Sequence, residues 1–175
     1  MSLEDDRYHL LFDVRRSIRY HNRRRSFFDR WGIITNAISV IFGSATIYAI
    51  FQDNGLKSLA VFLAAIVTIF STVDLVVGTN NKGRLHSDLA RRFNELEREM
   101  TQAGCYDEST LRTFTTKRLK IESDEPPVLR VLDSICHNEL MRAMGHEKGD
   151  LLEIGWFQRL VSQFIDFREH KIHSK

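Results

Sequence analysis

The chain of 175 residues has room for one domain, or for a membrane hairpin with a modest helical module, but not for a membrane unit together with a full enzyme domain. Charged residues make up 27% of the chain and the net charge is +2, values that on their own would suggest a soluble protein. Cys105 and Cys136 are too few for a disulfide-stapled secreted scaffold and form no CxxC pair, so both are expected to be free thiols.

The average composition hides a strong segregation of charge along the chain. Residues 31–51 contain no charged side chain, and residues 59–77 contain only Asp74. An α-helix rises 1.5 Å per residue, so about 20 residues cross a hydrocarbon layer about 30 Å thick. The connecting segment is short and contains the turn-forming pair Asn54-Gly55, which predicts two antiparallel spans within residues 31–78.

Basic residues near the ends of the two spans predict the orientation of the hairpin. Seven arginines lie within residues 15–30, just before the first span; Lys82, Arg84, Arg91 and Arg92 follow the second, and only Lys57 lies in the connecting segment. Because basic residues concentrate on the cytoplasmic side of a membrane, we expect both termini in the cytoplasm. The alternative is a soluble bundle that buries both apolar runs, but a chain of this length has little left to cover them.

The segment before the first span is basic and has a helical pattern. Tyr8, Leu11, Val14 and Ile18 recur at helical spacing, so we expect residues 1–30 to form an amphipathic cytoplasmic helix that runs toward or into the first span. The start of the chain lacks the apolar stretch of a cleavable signal peptide.

Arginines and aromatic residues alternate in that segment, a combination found both on nucleic-acid-binding surfaces and at membrane interfaces. Because the segment directly precedes a span, attraction to anionic lipid, at about 1 kcal/mol per basic residue, is the favoured interpretation. Binding of nucleic acid is the less favoured one. The residues expected to anchor the chain at the lipid headgroups are Arg23, Arg24, Arg25, Arg30 and Trp31.

Small and polar residues form a stripe along one face of each predicted span. One interpretation is packing within a single hairpin, since small residues let membrane helices approach each other. The other is that several copies assemble and turn part of the stripe toward a water-filled pathway. The stripe residues are Asn36, Ser39, Gly43 and Thr46 on the first span, and Ser71 and Asp74 on the second.

Asp74 is the one charged residue within the predicted spans. A charged side chain at the centre of a span costs about 2.5–3.5 kcal/mol and usually marks a functional position. Asp74 lies one turn from Gly78, near the expected cytoplasmic interface, where this cost is smaller. A salt bridge with Arg30, Lys82 or Arg84 is therefore an alternative to a role in a pathway.

The C-terminal half, residues 79–170, is predicted to be a cytoplasmic helical module. Three amphipathic helices are expected, the first ending at Gly104, the second ending before Pro126-Pro127, and the third starting at these prolines and ending at Gly145. Asp107 is suited to cap the N-terminus of the second helix.

After these helices, residues 151–167 carry a wide apolar face that either packs on the bundle or lies on the bilayer. The whole chain is therefore expected to be an all-α integral membrane protein, with an N-terminal basic helix, a two-helix hairpin with spans 31–51 and 59–77, and a cytoplasmic helical bundle.

Chemically useful side chains concentrate at Cys136-His137-Asn138-Glu139. Consecutive residues on a helix point in different directions, so these four cannot converge on one site by themselves. The sequence contains no Walker loop, dinucleotide-binding glycine fingerprint, GxSxG or paired CxxC motif. We expect a non-enzyme without a cofactor or a metal site.

Several segments form a recognisable combination. They are Phe27-Phe28-Asp29-Arg30-Trp31 before the first span, Asp74-Leu75-Val76 at the end of the second, residues 84–93 after it, and Glu125-Pro126-Pro127-Val128 with Cys136-His137-Asn138-Glu139-Leu140 in the C-terminal half. Together they resemble the SLATT family, two-transmembrane domains that associate with SMODS and SLOG modules in bacterial conflict systems. The resemblance extends over most of the chain.

The resemblance implies a membrane effector of bacterial antiphage defence that forms a pore or disrupts the inner membrane. Members of this family are controlled by a fused or neighbouring sensor, often one that responds to a nucleotide signal, and we expect a separate sensor or signalling protein as the partner here. The expected assembly is a homo-oligomer in the inner membrane. The alternative is a non-conducting membrane anchor or scaffold that recruits a cytoplasmic defence enzyme.

Overall fold

The computed structural model describes residues 2–51, 57–104, 106–169 and 172, and this part of the chain is all-helical without a β-strand. The all-α class predicted from the sequence is thereby confirmed. The predicted turn at Asn54-Gly55 and the thiol of Cys105 lie outside the described residues. The helices are α1 (Leu3–Phe51), α2 (Lys57–Val77), α3 (Thr79–Gln102), α4 (Glu108–Glu122), α5 (Arg130–Ala143) and α6 (Trp156–Val161), with a 3₁₀ turn at Lys148–Asp150.

The chain divides into two compact units. The hairpin unit comprises Arg25–Leu85, and the terminal unit comprises Met1–Arg24 and His86–Lys175. Helix α1 is continuous over 49 residues, as expected for a basic helix that runs into the first apolar run, and it contributes its first part to the terminal unit and the rest to the hairpin unit.

Two close approaches define the hairpin unit. The hydroxyl oxygens of Ser39 on α1 and Ser71 on α2 lie 3.4 Å apart. A Cβ placed on Gly83 of α3 would lie 3.5 Å from the Cβ of Phe28 and 3.2 Å from a carboxylate oxygen of Asp29. As residue numbers fall from Ser39 to Phe28 along α1, the numbers of the facing residues rise from Ser71 to Gly83. Within this unit, α1 is therefore antiparallel to α2 and to the start of α3.

The terminal unit is held together by an apolar core that joins the start of the chain to its C-terminal half. A second, smaller cluster contains Tyr20, Leu132 and Cys136. Burial of each large apolar side chain stabilises the fold by about 1.5–3 kcal/mol. The main core consists of Leu10 and Val14 of α1, Leu89, Phe93, Leu96 and Met100 of α3, and Phe114 and Ile121 of α4.

The helix ends of the terminal unit follow the sequence signals in part. Asp107 caps α4, since its carboxylate accepts a 2.7 Å hydrogen bond from the backbone N–H of Thr110. Helix α5 begins at Arg130, not at the prolines as predicted, and its N-cap residue Leu129 has extended backbone with a φ of −77° and a ψ of 107°. Within the apolar segment 151–167, only Trp156–Val161 is α-helical.

Gly145 ends α5 with a φ of +85°, a left-handed conformation that costs a residue with a Cβ about 1–2 kcal/mol. We expect Gly145→Ala to lower the free energy of unfolding by about that amount, measured by chemical denaturation of the detergent-solubilised protein. Gly149→Ala is the matched control, because its backbone does not have a positive φ and an added Cβ would meet no atom within 4 Å. Equal effects of the two substitutions would contradict this account of the helix end.

Candidate functional sites: the apolar hairpin and the buried polar contacts of the terminal unit

The hairpin unit exposes most of its apolar side chains. Two helical stretches are long and apolar enough to cross a membrane, and only 11% and 6% of their most apolar windows are buried. A core helix of a soluble protein would be mostly buried, so the described residues do not form the soluble bundle considered as an alternative. The large exposed side chains are Ile33, Ile34, Val40, Ile41, Ile47, Tyr48, Ile50 and Phe51 on α1, and Leu59, Val61, Phe62, Ile69, Val73, Leu75 and Val76 on α2.

The stripe residues of α1 have different surroundings. Ser39 approaches Ser71, and the Thr46 hydroxyl donates a 2.8 Å hydrogen bond to the carbonyl oxygen of Phe42. In contrast, a Cβ on Gly43 would meet no atom within 4 Å. Asn36 is exposed, and its carboxamide makes no hydrogen bond within the described part of the chain. Packing within one hairpin therefore accounts for only part of the stripe.

Small residues are also buried in this unit, and two of them, Thr35 and Ala49, were not predicted to belong to the stripe. Thr35, Ala49 and Ala60 are buried in the hairpin unit. Thr35 is adjacent to the predicted stripe, and its hydroxyl donates a 3.0 Å hydrogen bond to the carbonyl oxygen of Trp31, which satisfies its polar group within its own helix.

Asp74 lies at the joint between α2 and α3. Its carboxylate accepts a short hydrogen bond from the hydroxyl of Thr79, and its carbonyl oxygen accepts a 2.9 Å hydrogen bond from the N–H of Gly78. Gly78 has a φ of +63°, which turns the chain from one helix into the next. Asp74 forms no ion pair with a described residue. The salt bridge to Arg30, Lys82 or Arg84 considered from the sequence is therefore not present in this structure.

The five residues predicted to anchor lipid divide between the two units. Arg23 pairs with the carboxylate of Glu139, and Arg24 donates a 2.6 Å hydrogen bond to the carbonyl oxygen of Gln163. Both contacts lie inside the terminal unit, so these two guanidinium groups are used to hold protein elements together. In the hairpin unit, Arg25 lies 3.5 Å from the carboxylate of Asp29, Arg30 is exposed and Trp31 is half-buried.

A buried polar cluster in the terminal unit was missed by the sequence analysis. His21 and His86 are almost fully buried, and their Nδ1 atoms lie 2.9 Å apart. The Nε2 atom of His21 lies 3.1 Å from a carboxylate oxygen of Glu125, and the ring of Phe93 stacks on the ring of His21. The residues come from α1, α3 and the segment between α4 and α5, so the cluster ties three parts of the chain together.

The number of protons in this cluster is limited. When the Glu125 carboxylate is ionised it only accepts hydrogen bonds, so the Nε2 atom of His21 is then the donor. One proton then lies between the two Nδ1 atoms, because a second would place two N–H groups against each other. A sequence signal did exist: His21 continues the spacing of Val14 and Ile18, and His86 precedes Leu89 and Phe93 at the same helical spacing.

Removal of one histidine should leave a buried ring nitrogen of the other without its partner. We expect His86→Leu to lower the free energy of unfolding by about 1–3 kcal/mol. The double variant His21→Leu/His86→Leu should be less destabilised than the sum of the two single variants. His9→Leu, at an exposed position of the same helix as His21, is the control and should have little effect. Additive effects in the double-mutant cycle would show that the two rings do not interact.

The four residues from Cys136 to Glu139 make contacts in different directions, as expected for consecutive residues of a helix. Cys136 is buried in the cluster with Tyr20, the ring of His137 meets the edge of Phe12, and Glu139 pairs with Arg23. The carboxamide of Asn138 donates to the carbonyl oxygen of Leu152 and accepts from its N–H, both at 2.8 Å. Among the described residues, no three of His, Cys, Asp and Glu are arranged to hold a metal ion.

Burial raises the pKa of the Cys136 thiol to about 12, so at neutral pH the reactive thiolate is nearly absent. In a Cys105→Ser background we expect no maleimide labelling of Cys136 in the folded protein at pH 7.5, and full labelling after denaturation. Mass spectrometry gives the labelled fraction. Rapid labelling before unfolding would contradict the buried position of this thiol.

Comparison with known proteins does not identify a family. The chain matches no family model, no curated protein and no solved structure. The similarity to the SLATT family therefore stays a prediction based on the quoted motifs, and the function has to be argued from the two units themselves.

Proposed function

We propose that the chain is an integral membrane protein whose hairpin unit crosses the inner membrane twice, with both termini in the cytoplasm. The observation that carries this proposal is the exposure of two long apolar stretches, of whose most apolar windows only 11% and 6% are buried. Each large apolar side chain gains about 1.5–3 kcal/mol on leaving water, so hydrocarbon is a far better surrounding for this surface than solvent. Hydrogen bonds within each helix satisfy the backbone, as a membrane span requires.

The stripe on α1 supports self-association of the hairpins. Asn36 presents a carboxamide without a partner in the described residues, and Gly43 leaves open space beside the helix. A polar side chain in hydrocarbon is stabilised by a hydrogen bond across a helix interface, typically by about 0.6–2 kcal/mol, and a glycine allows a neighbouring helix to approach closely. We infer that Asn36 and Gly43 meet a second copy of the chain.

Such an assembly can place polar residues around a common path. Ser39 lies level with Ser71, so in the antiparallel pair Asn36 lies near the level of Asp74. In the proposed oligomer, Asn36, Ser39, Thr46, Ser71 and Asp74 line or seal a pathway for ions. Together with the similarity to the SLATT family, this supports a membrane effector of bacterial antiphage defence, controlled by a separate signalling partner and acting without catalysis.

The assembly and the pathway are tested with separate substitutions. In lipid vesicles, Asn36→Leu and Gly43→Leu should lower the cross-linked oligomer fraction several-fold and lower ion flux with it. Asp74→Asn keeps an oxygen that accepts from the Thr79 hydroxyl but removes the charge, so it should change flux without changing assembly. Ile41→Leu, an exposed apolar exchange on α1, is the control. Unchanged oligomers and unchanged flux in all three variants would rule out the proposed pore.

The second candidate function is a non-conducting anchor or scaffold. It is favoured because polar stripe residues contact other residues of the same hairpin and not a pathway. The Asp74 carboxylate accepts a hydrogen bond from the Thr79 hydroxyl, and the hydroxyl of Ser39 lies beside that of Ser71. In that case, replacing residues 31–77 by an unrelated two-span hairpin would preserve function in cells. Loss of function in this chimera, with normal membrane insertion, would favour the effector.

A further inference from the structure

A cleft in the terminal unit brings together three arginines from different helices. It has a volume of about 220 Å³ and is here called the arginine cleft. Arg23 comes from α1, Arg142 from the last turn of α5, and Arg159 from α6. The other lining residues are Ile135, Asn138, Glu139 and Ile154.

Among the described residues, the acidic side chains that line the arginine cleft do not balance its three arginines. Glu139 is its single acidic residue and pairs with Arg23. Arg142 and Arg159 are exposed, and neither forms an ion pair with a described residue. Many other arginines of the terminal unit have such partners, as in the pairs Arg15–Glu97, Arg92–Asp124 and Arg118–Asp13. Two guanidinium groups that face one cleft without a counter-charge favour binding of an anion.

The walls of the cleft are fixed by contacts that do not use its arginines. Both polar groups of the Asn138 carboxamide are bonded to the backbone of Leu152, which holds the segment before α6 against α5. Ile154 is buried and provides an apolar surface next to the charged groups. The Glu139 carboxylate orients Arg23, so the position of this one cationic group is set before a ligand arrives.

We propose that the arginine cleft binds a phosphomonoester. The planar guanidinium group donates two parallel hydrogen bonds to phosphate oxygens, and a phosphomonoester at neutral pH carries nearly the two negative charges that would neutralise Arg142 and Arg159. At about 30 Å³ per water molecule, the cleft has the volume of roughly seven waters, which leaves room for an organic group beside the phosphate. Ile135 and Ile154 provide the surface for that group.

The position of the cleft gives binding a structural effect. A phosphate held by Arg142 and Arg159 connects α5 to α6, and the contact between Glu139 and Arg23 extends this connection to α1. This proposal does not depend on the proposed membrane function, because every contact lies in the terminal unit.

The test uses the full-length protein in non-ionic detergent, with phenyl phosphate as the probe and isothermal titration calorimetry as the measurement. We expect saturable binding that weakens with salt, and at least a tenfold loss of affinity in both Arg142→Gln and Arg159→Gln. The control Arg98→Gln removes an exposed arginine of α3 that forms no ion pair with a described residue, and it should bind normally. Unchanged thermal unfolding of the unliganded variants establishes that they are folded.

A second arm determines whether the phosphate belongs to a lipid. The same variants are placed in nanodiscs with and without phosphatidic acid, and binding is read as the shift in thermal unfolding. Stabilisation by phosphatidic acid but not by phenyl phosphate, lost in both variants, supports a lipid headgroup as the phosphomonoester, whereas binding of phenyl phosphate supports a free small molecule. The proposal would be overturned if neither probe bound saturably, or if Arg98→Gln lowered the affinity as much as Arg142→Gln and Arg159→Gln do.

Discussion

The proposed membrane function depends on one feature, the exposed apolar surface of α1 and α2, and the other features of the hairpin unit are consistent with it. Large side chains such as Phe51 and Leu75 are exposed in this unit, while its polar side chains bond mostly to their own helix or to each other. Hydrocarbon can surround such a surface without leaving backbone groups unsatisfied. The exposed amide of Asn36 has no such bond among the described residues, and for this reason the proposed contact with a second hairpin is placed there.

The arginines of the basic segment have two kinds of surroundings that its composition does not distinguish. Arg23 and Arg24 are turned into the terminal unit, where they bond to Glu139 and Gln163. Arg30 is exposed in the hairpin unit. Neighbouring arginines of one helix therefore differ in their surroundings, and helix periodicity decides which of them face other protein elements.

Local patterns predicted the helices well, but they could not predict the contacts between distant residues. The uncharged runs, the cap at Asp107 and the helix end at Gly145 each depend on a few neighbouring residues, so they could be read from the sequence. The cluster of His21, His86 and Glu125 joins positions 65 and 104 residues apart, and no local spacing encodes such a pairing. The three arginines of the cleft come from separate helices for the same reason.

The core of the terminal unit has a consequence for the order of events during synthesis. Leu10 and Val14 pack in the same core as Ile121, so the first helix of the chain must wait until more than one hundred further residues have left the ribosome. Both apolar runs emerge within that interval, and a nascent chain folds as its segments become available. Both apolar runs of the hairpin unit are therefore available before the terminal unit can close, and closure then joins the start of the chain to helices that are synthesised after the hairpin.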